Sequence, residues 1–285
     1  MKILVTGING QLGYDVCRIL KVRGIEHRGV DIADFDITDR AATEAYITSY
    51  HPDAVIHCSG YTAVDKAEDE EALCLAVNAQ GAAHIADAAA QIGAKMMYIS
   101  TDYVFAGSGD RFYTPEDPTE PLSVYGRSKL LGEKSIKERL NEHFIVRISW
   151  LFGKNGNNFV KTMLRLAETK DELNVVCDQI GSPTYSYDLA ELLCDMIVTD
   201  RYGTYHATNE GLCSWAELAA ETMRQSGTAV KINPIPASDY PSRAKRPYNS
   251  RMSKDKLTEN GFSRLPDWKD ALARYLTEWK ESQKS

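Results

Sequence analysis

Four short apolar and β-branched runs, Ile3 to Thr6, Ala54 to His57, Met96 to Ser100 and Phe144 to Ser149, predict strands. Between them, Leu12 to Leu20, Ala41 to Tyr50, Ala72 to Ile92 and Tyr125 to Leu140 repeat apolar residues at the helical period. Strands that alternate with helices imply βαβ units, hence a doubly wound parallel sheet covered on both faces.

Further along, Asn174 to Cys177 and Thr204 to Ala207 predict two more strands with a helix between them at Tyr187 to Ile197. Ser214 followed three residues later by Glu217 reads as a capping box that opens another helix. From about Lys231, Pro234, Pro236, Pro241 and Pro247 exclude a long helix, and a helical stripe resumes over Trp268 to Trp279. These changes of texture predict a core over 1–150, with returning elements near 172–212, and a smaller lobe, mainly 151–285, interleaved with it. The acidic run Glu68 to Glu71 reads as a solvated helix start, favoured there by the helix dipole.

A chain of 285 residues, 43% hydrophobic, can bury a full core. Its formal charge of -7 disfavours nucleic acid or an acidic membrane as the main partner. The opening MKILVTG is too short for a signal h-region, and no run approaches the roughly 20 apolar residues of a membrane span, so a cytoplasmic protein is expected. Cys17, Cys58, Cys74, Cys177, Cys194 and Cys213 form no CxxC pair and no Cys/His cluster; free thiols are expected, with no disulfide framework and no zinc site.

The first predicted strand runs into Gly7-Ile8-Asn9-Gly10-Gln11-Leu12-Gly13 and then a helix. In that context Gly7 suits a tight turn, Gly10 a close approach of backbone to a pyrophosphate, and Gly13 close helix packing, while the helix N-terminus supplies free N–H donors. The expectation is a Rossmann core that binds a dinucleotide, beside a substrate lobe. The GxxGxxG spacing points to short-chain reductases. Asp31 follows the second strand close to the position, about 20 residues past the glycines, of a carboxylate that binds the ribose 2′-hydroxyl of NAD(H). His27, Arg28 and Lys21 lie nearby in sequence and would suit the 2′-phosphate of NADPH, so both coenzymes stay open.

Tyr125 and Lys129 are four apart on one helix face. A phenol, with an ordinary pKa of about 10, is a slow acid at neutrality, and a neighbouring ammonium lowers that value. The pair therefore suits general acid-base chemistry on a carbonyl or alcohol. Ser100 and Thr101 fall at the carboxyl end of a buried strand, where open α/β sheets place ligands, and Thr101 can bond the same substrate oxygen.

Together with Tyr61 to Glu68, Ser100 to Phe105, Ser149-Trp150, Gly156 to Phe159, Asp178 to Thr184 and Arg246-Pro247, these blocks span nearly the whole chain and resemble the extended short-chain dehydrogenase/reductases, within them the dTDP-4-dehydrorhamnose reductase family. The resemblance implies NADPH- or NADH-dependent reduction of the C4 ketone of a dTDP-4-dehydro deoxysugar, the last step of dTDP-rhamnose synthesis. By the same resemblance Gly10, Gln11, Leu12, Asp31, Asp36, Ile37, Gly60, Tyr61 and Thr62 contact the coenzyme, with Lys129 on its nicotinamide ribose. Tyr125 and Lys129 are catalytic, and Thr101, Asp102 and Trp150 face the sugar. Cys58-Ser59-Gly60 stands where the family commonly has alanines, a change of small residues that keeps the backbone approach.

Some members bind Mg2+ at a subunit contact, which also admits a homodimer, but no ligand set is assignable here. Two alternatives accompany this reading. A related dehydratase or epimerase would recycle its coenzyme; dehydratases carry Thr-Asp-Glu where this chain has Thr101-Asp102-Tyr103. A non-catalytic regulatory subunit, like the methionine adenosyltransferase partner of the same family, would not need the Thr101, Tyr125 and Lys129 set.

Overall fold

The computed structural model describes residues 1–282. Strands β1 (Lys2–Thr6), β2 (Glu26–Val30), β3 (Ala54–His57), β4 (Lys95–Thr101), β5 (His143–Ile148) and β6 (Gly203–His206) form one sheet in the order β6-β5-β4-β3-β1-β2, with every pair parallel. The connecting helices are α1 (Gln11–Val22), α2 (Arg40–Tyr50), α3 (Gly81–Gln91), α4 (Val124–Arg139) and α5 (Ser186–Ile197). Strand period 2 sends alternate side chains to opposite faces. Ile3, Val5 and Ile56 therefore pack under α1 and α5, and Leu4 and Val55 under α2 and α3. The direction of strand order reverses between β1 and β3, so a ligand crevice opens outside their carboxyl ends.

The helix expected as one piece from Ala72 to Ile92 is broken. A short helix, Glu71–Leu75, passes through a π turn at Ala76–Gln80 before α3. Inside that turn Asn78 is buried, and its amide bonds elsewhere, so a local side-chain demand overrides the apolar period. The acidic run is also more than a solvated start. Glu68 accepts the Val124 N–H at 2.9 Å, and Glu71 pairs with Arg127 at 2.9 Å, so both brace the first turn of α4.

Of the elements expected to return near 172–212, α5 and β6 join the main sheet. The strand Glu172–Val176 instead pairs in parallel with Lys231–Ile235 in a separate two-stranded sheet. This second strand has one neighbour, which tolerates Pro234. Helices Phe159–Ala167 and Trp215–Ser226 pack beside it through Met163, Ala219 and Met223. Ser214 and Glu217 do form the reciprocal capping box. The terminal helix Trp268–Ser282 buries Leu272 and Tyr275 against Phe152 and Tyr185. All six cysteines are free, with Cys74, Cys194 and Cys213 buried and the others partly so. Among the described residues no helix is long and apolar enough to cross a membrane.

Candidate active site

At the crevice mouth, Gly7 adopts φ 75°, and a Cβ there would meet the Ser59 nitrogen at 2.7 Å. A Cβ on Gly13 would stand 2.3 Å from the Gly7 carbonyl oxygen, so α1 can press onto the loop only because residue 13 is glycine. Gly10 caps α1 without a side-chain bond, which leaves the first N–H groups of the helix to face the cleft. The Asp31 carboxylate accepts the Asn9 N–H at 3.0 Å and the Ile32 N–H at 2.9 Å, fixing it beside the loop. This cradle of backbone donors beside a carboxylate fits a dinucleotide.

A cleft of about 730 Å³ runs from there to the end of β4, lined by Gly7, Gly10, Gln11, Leu12, Asp31, Asp36, Ile37, Gly60, Thr62, Thr101, Asp102, Tyr125, Lys129 and Trp150. Two expected coenzyme contacts lie outside this lining. Gly13 serves helix packing, and the Tyr61 hydroxyl turns to Glu70 at 2.5 Å. The cations suggested for a 2′-phosphate do not line the cleft either: Arg28 lies over the Tyr50 ring at 4.4 Å, and His27 bonds the Ile25 carbonyl.

Ser123 caps α4, accepting the Gly126 N–H at 3.1 Å, and this start aims Tyr125 and Lys129 at the cleft. A Cβ on Gly126 would lie 2.3 Å from the Tyr103 carbonyl oxygen, so the glycine after Tyr125 lets the helix touch the turn that follows β4. Thr101 donates to Asp102 at 2.9 Å and accepts the Tyr103 N–H at 3.2 Å. Asp102 accepts from Ser250 at 2.5 Å, and burial pushes its carboxyl up to about 6. Held between two hydroxyls, it orients the turn. Burial also drives the Tyr125 phenol well above its usual range, against a smaller opposing contribution from the Thr101 hydroxyl. The expected lowering by Lys129 is not found: the group that opposes burial is Thr101. Lys129 is 5% exposed, its ammonium 4.0 Å from the centre of the Tyr98 ring, and burial brings it down to about 7 with Glu133 opposing.

Several participants carry no motif. Asn78 accepts the Tyr61 N–H at 2.8 Å and donates at 2.9 Å to both the Tyr61 carbonyl and the Ser128 hydroxyl, tying the Gly60 loop to the helix of Lys129. Its only sequence signal is a poor helix former inside a helical period. Trp150, at φ 52°, stacks on Trp215 with ring centroids 3.9 Å apart, and both line the cleft. Trp215 follows the Ser214 cap, and nothing in its spacing reveals that partner. Arg246 lines the cleft as well, although only its place in a sequence block had marked it. Among the described residues no three His, Cys, Asp or Glu side chains gather to hold a metal ion.

The chain matches the RmlD substrate binding domain family over residues 1–281. It belongs to that family. It is 42% identical to the spore coat polysaccharide biosynthesis protein SpsK of Bacillus subtilis over 97% of each chain, and 38% identical to the dTDP-4-dehydrorhamnose reductase of Escherichia coli over 98% of each. The crystal structure of a dTDP-4-dehydrorhamnose reductase from Bacillus anthracis in complex with NADP superimposes with a TM-score of 0.95 at 41% identity, covering 98% of this chain and 100% of that one. A UDP-glucose 4-epimerase of Thermus thermophilus shares the fold alone, at 18% identity and a TM-score of 0.85. Family membership agrees with the parallel sheet, the glycine loop and the paired Tyr125 and Lys129.

Proposed function

We propose that this chain reduces the C4 ketone of dTDP-4-dehydro-β-L-rhamnose to dTDP-L-rhamnose. The observation that carries the reading is the convergence of Thr101, Tyr125 and Lys129 on one cleft with the glycine loop and Asp31 at its other end. A bound NADH or NADPH supplies the hydride. Gly7, Gly10, Gln11 and Leu12 with the start of α1 receive the pyrophosphate, and Asp31, Asp36, Ile37, Gly60 and Thr62 the rest of the coenzyme, while the Tyr61 backbone is held by Asn78.

Burial keeps the Tyr125 phenol protonated at neutral pH, and it gives that proton only as negative charge develops on the ketone oxygen, where the Lys129 ammonium offsets the cost. The single Thr101 hydroxyl proton turns from Asp102 to that oxygen when the ketone binds, and the Lys129 ammonium stabilises the charge that develops there and bonds the nicotinamide ribose. Before the ketone binds, Asp102 accepts that proton, the Tyr103 N–H holds the Thr101 oxygen in place, and the Trp150 ring stands where it would flank the sugar. The core over 1–150, with the returning α5 and β6, serves the coenzyme, and the lobe within 151–285 serves the sugar nucleotide. A homodimer is part of the same proposal, readable by light scattering.

Tyr125→Phe tests the assignment. Its turnover should drop roughly 10²- to 10⁴-fold, while coenzyme affinity measured by fluorescence stays within about twofold of the parent, because the lost hydroxyl serves a proton transfer. Unimpaired turnover contradicts the role.

A further inference from the structure

Residues 153–158, GKNGNN, join the short strand Leu151–Phe152 to the lobe helix Phe159–Ala167. The loop has no apolar side chain, so hydrogen bonds must hold it, and several of them run to the glycine loop. Asn155 Nδ2 donates to the Asn9 carbonyl at 2.9 Å and to the Gly10 carbonyl at 3.3 Å. From the first turn of the helix, Lys161 Nζ donates to the Lys154 carbonyl at 2.5 Å and to the Gly156 carbonyl at 2.7 Å, which ties the loop to the helix behind it. Gly156 and Asn157 line the cleft.

Asn158 carries the contact furthest. As the N-cap of the helix, its Oδ1 accepts the Lys161 N–H at 2.9 Å, which fixes the oxygen end of its amide. The NH2 end then points back and donates to the Gly153 carbonyl at 2.9 Å and to Gln11 Oε1 at 3.1 Å. Gln11 is the first residue of α1 and lines the cleft beside the free N–H groups of that helix start. A carboxamide accepts at one end and donates at the other. With its oxygen held by Asn158, Gln11 turns its NH2 end away from the lobe. A pyrophosphate offers acceptors alone, so the orientation of this amide decides whether Gln11 attracts it or repels it.

We propose that Asn158 is a positioning residue of the coenzyme site, a lobe side chain that fixes the Gln11 amide with its donor end towards the pyrophosphate. The proposal rests on the coenzyme reading above. Asn158 acts through Gln11, 147 residues away in the chain, while Asn155 holds the carbonyls of the glycine loop in place. An amide already oriented loses less freedom when the coenzyme arrives, and affinity rises accordingly. The lobe thereby contributes to coenzyme binding as well as to the sugar nucleotide.

The test is fluorescence titration of NADPH and NADH into wild type, Asn158→Ser, Gln11→Ala and the double variant. Serine also caps helices but lacks the NH2 group, so the substitution keeps the start of the lobe helix and removes the contact to Gln11. Asn158→Ser should lose roughly two- to tenfold in affinity for both coenzymes, the size of a neutral hydrogen bond. Gln11→Ala should lose a similar factor, and the double variant no more than Gln11→Ala alone, because the two residues act as one unit. Unchanged affinity in either single variant, or losses that multiply in the double variant, overturns the assignment while leaving the coenzyme reading intact. A wild-type protein that binds neither coenzyme overturns that reading, and the proposal with it.

Discussion

With the Tyr125 phenol protonated across the neutral range, the group that titrates nearest neutrality in the centre is Lys129. Burial lowers it to about 7, so its ammonium is held below that pH and lost above it. The proposed reduction uses that charge, and on it kcat/KM should decline as pH rises through about 7. A rate that holds level up to the ordinary lysine range would show that the charge is not needed. At the other end of the cleft, two backbone N–H groups fix Asp31, which the proposed binding mode sets against the 2′ position of the adenine ribose. Asp31→Ala should raise the ratio of kcat/KM for NADPH over NADH; an unchanged ratio removes Asp31 from coenzyme selection.

Helix α4 brings Tyr125 and Lys129 to β4, and a buried ion pair locks it there. Glu133, one turn beyond Lys129, accepts from Arg147 of β5 at 2.7 and 2.8 Å and from Ser100 of β4 at 2.6 Å. Breaking one side of such a pair leaves a bare buried charge and costs roughly 3–5 kcal/mol. Urea denaturation of Glu133→Gln should register a loss of that order, and Glu133→Met with Arg147→Leu should recover much of it. Equal stability of Glu133→Gln and the parent would mean that the pair does not hold the helix. Much of this level was legible in the sequence. Apolar periods locate five of the six main-sheet strands, Glu26–Val30 having a single buried residue and no apolar run, and the glycine loop and the Tyr125-Lys129 spacing name two parts of the cleft lining. The break at Asn78 was not legible, because hydrophobic period reports which face is buried and not what a buried amide must bond. Nor was the Trp150–Trp215 stack or the bonding of Arg246 to Asp65 and Tyr103, since both join residues far apart in the chain whose meeting depends on tertiary packing.

For the molecule as a whole, burial of His57 and His206 brings both down to about 3. The folded state keeps them neutral while the unfolded chain takes up their protons below an ordinary value of about 6.5. Stability is thus lost as pH falls from about 6.5 towards 3, at up to ~1.4 kcal/mol per pH unit for each histidine. Asp102, raised to about 6, opposes part of this, because its folded form gains a proton before the unfolded one does. His206→Leu should therefore show a smaller drop in its urea midpoint between pH 7 and pH 5 than the parent; an equal drop would assign the acid sensitivity elsewhere. Sheet, lobe and cleft together describe a molecule that takes a reduced coenzyme at one end and a ketone at the other. The most direct test follows the absorbance of the reduced nicotinamide while purified protein, NADPH or NADH and dTDP-4-dehydrorhamnose are mixed. The account predicts one coenzyme oxidised for each dTDP-rhamnose formed, whereas product without net oxidation, or no absorbance loss with either coenzyme, contradicts it.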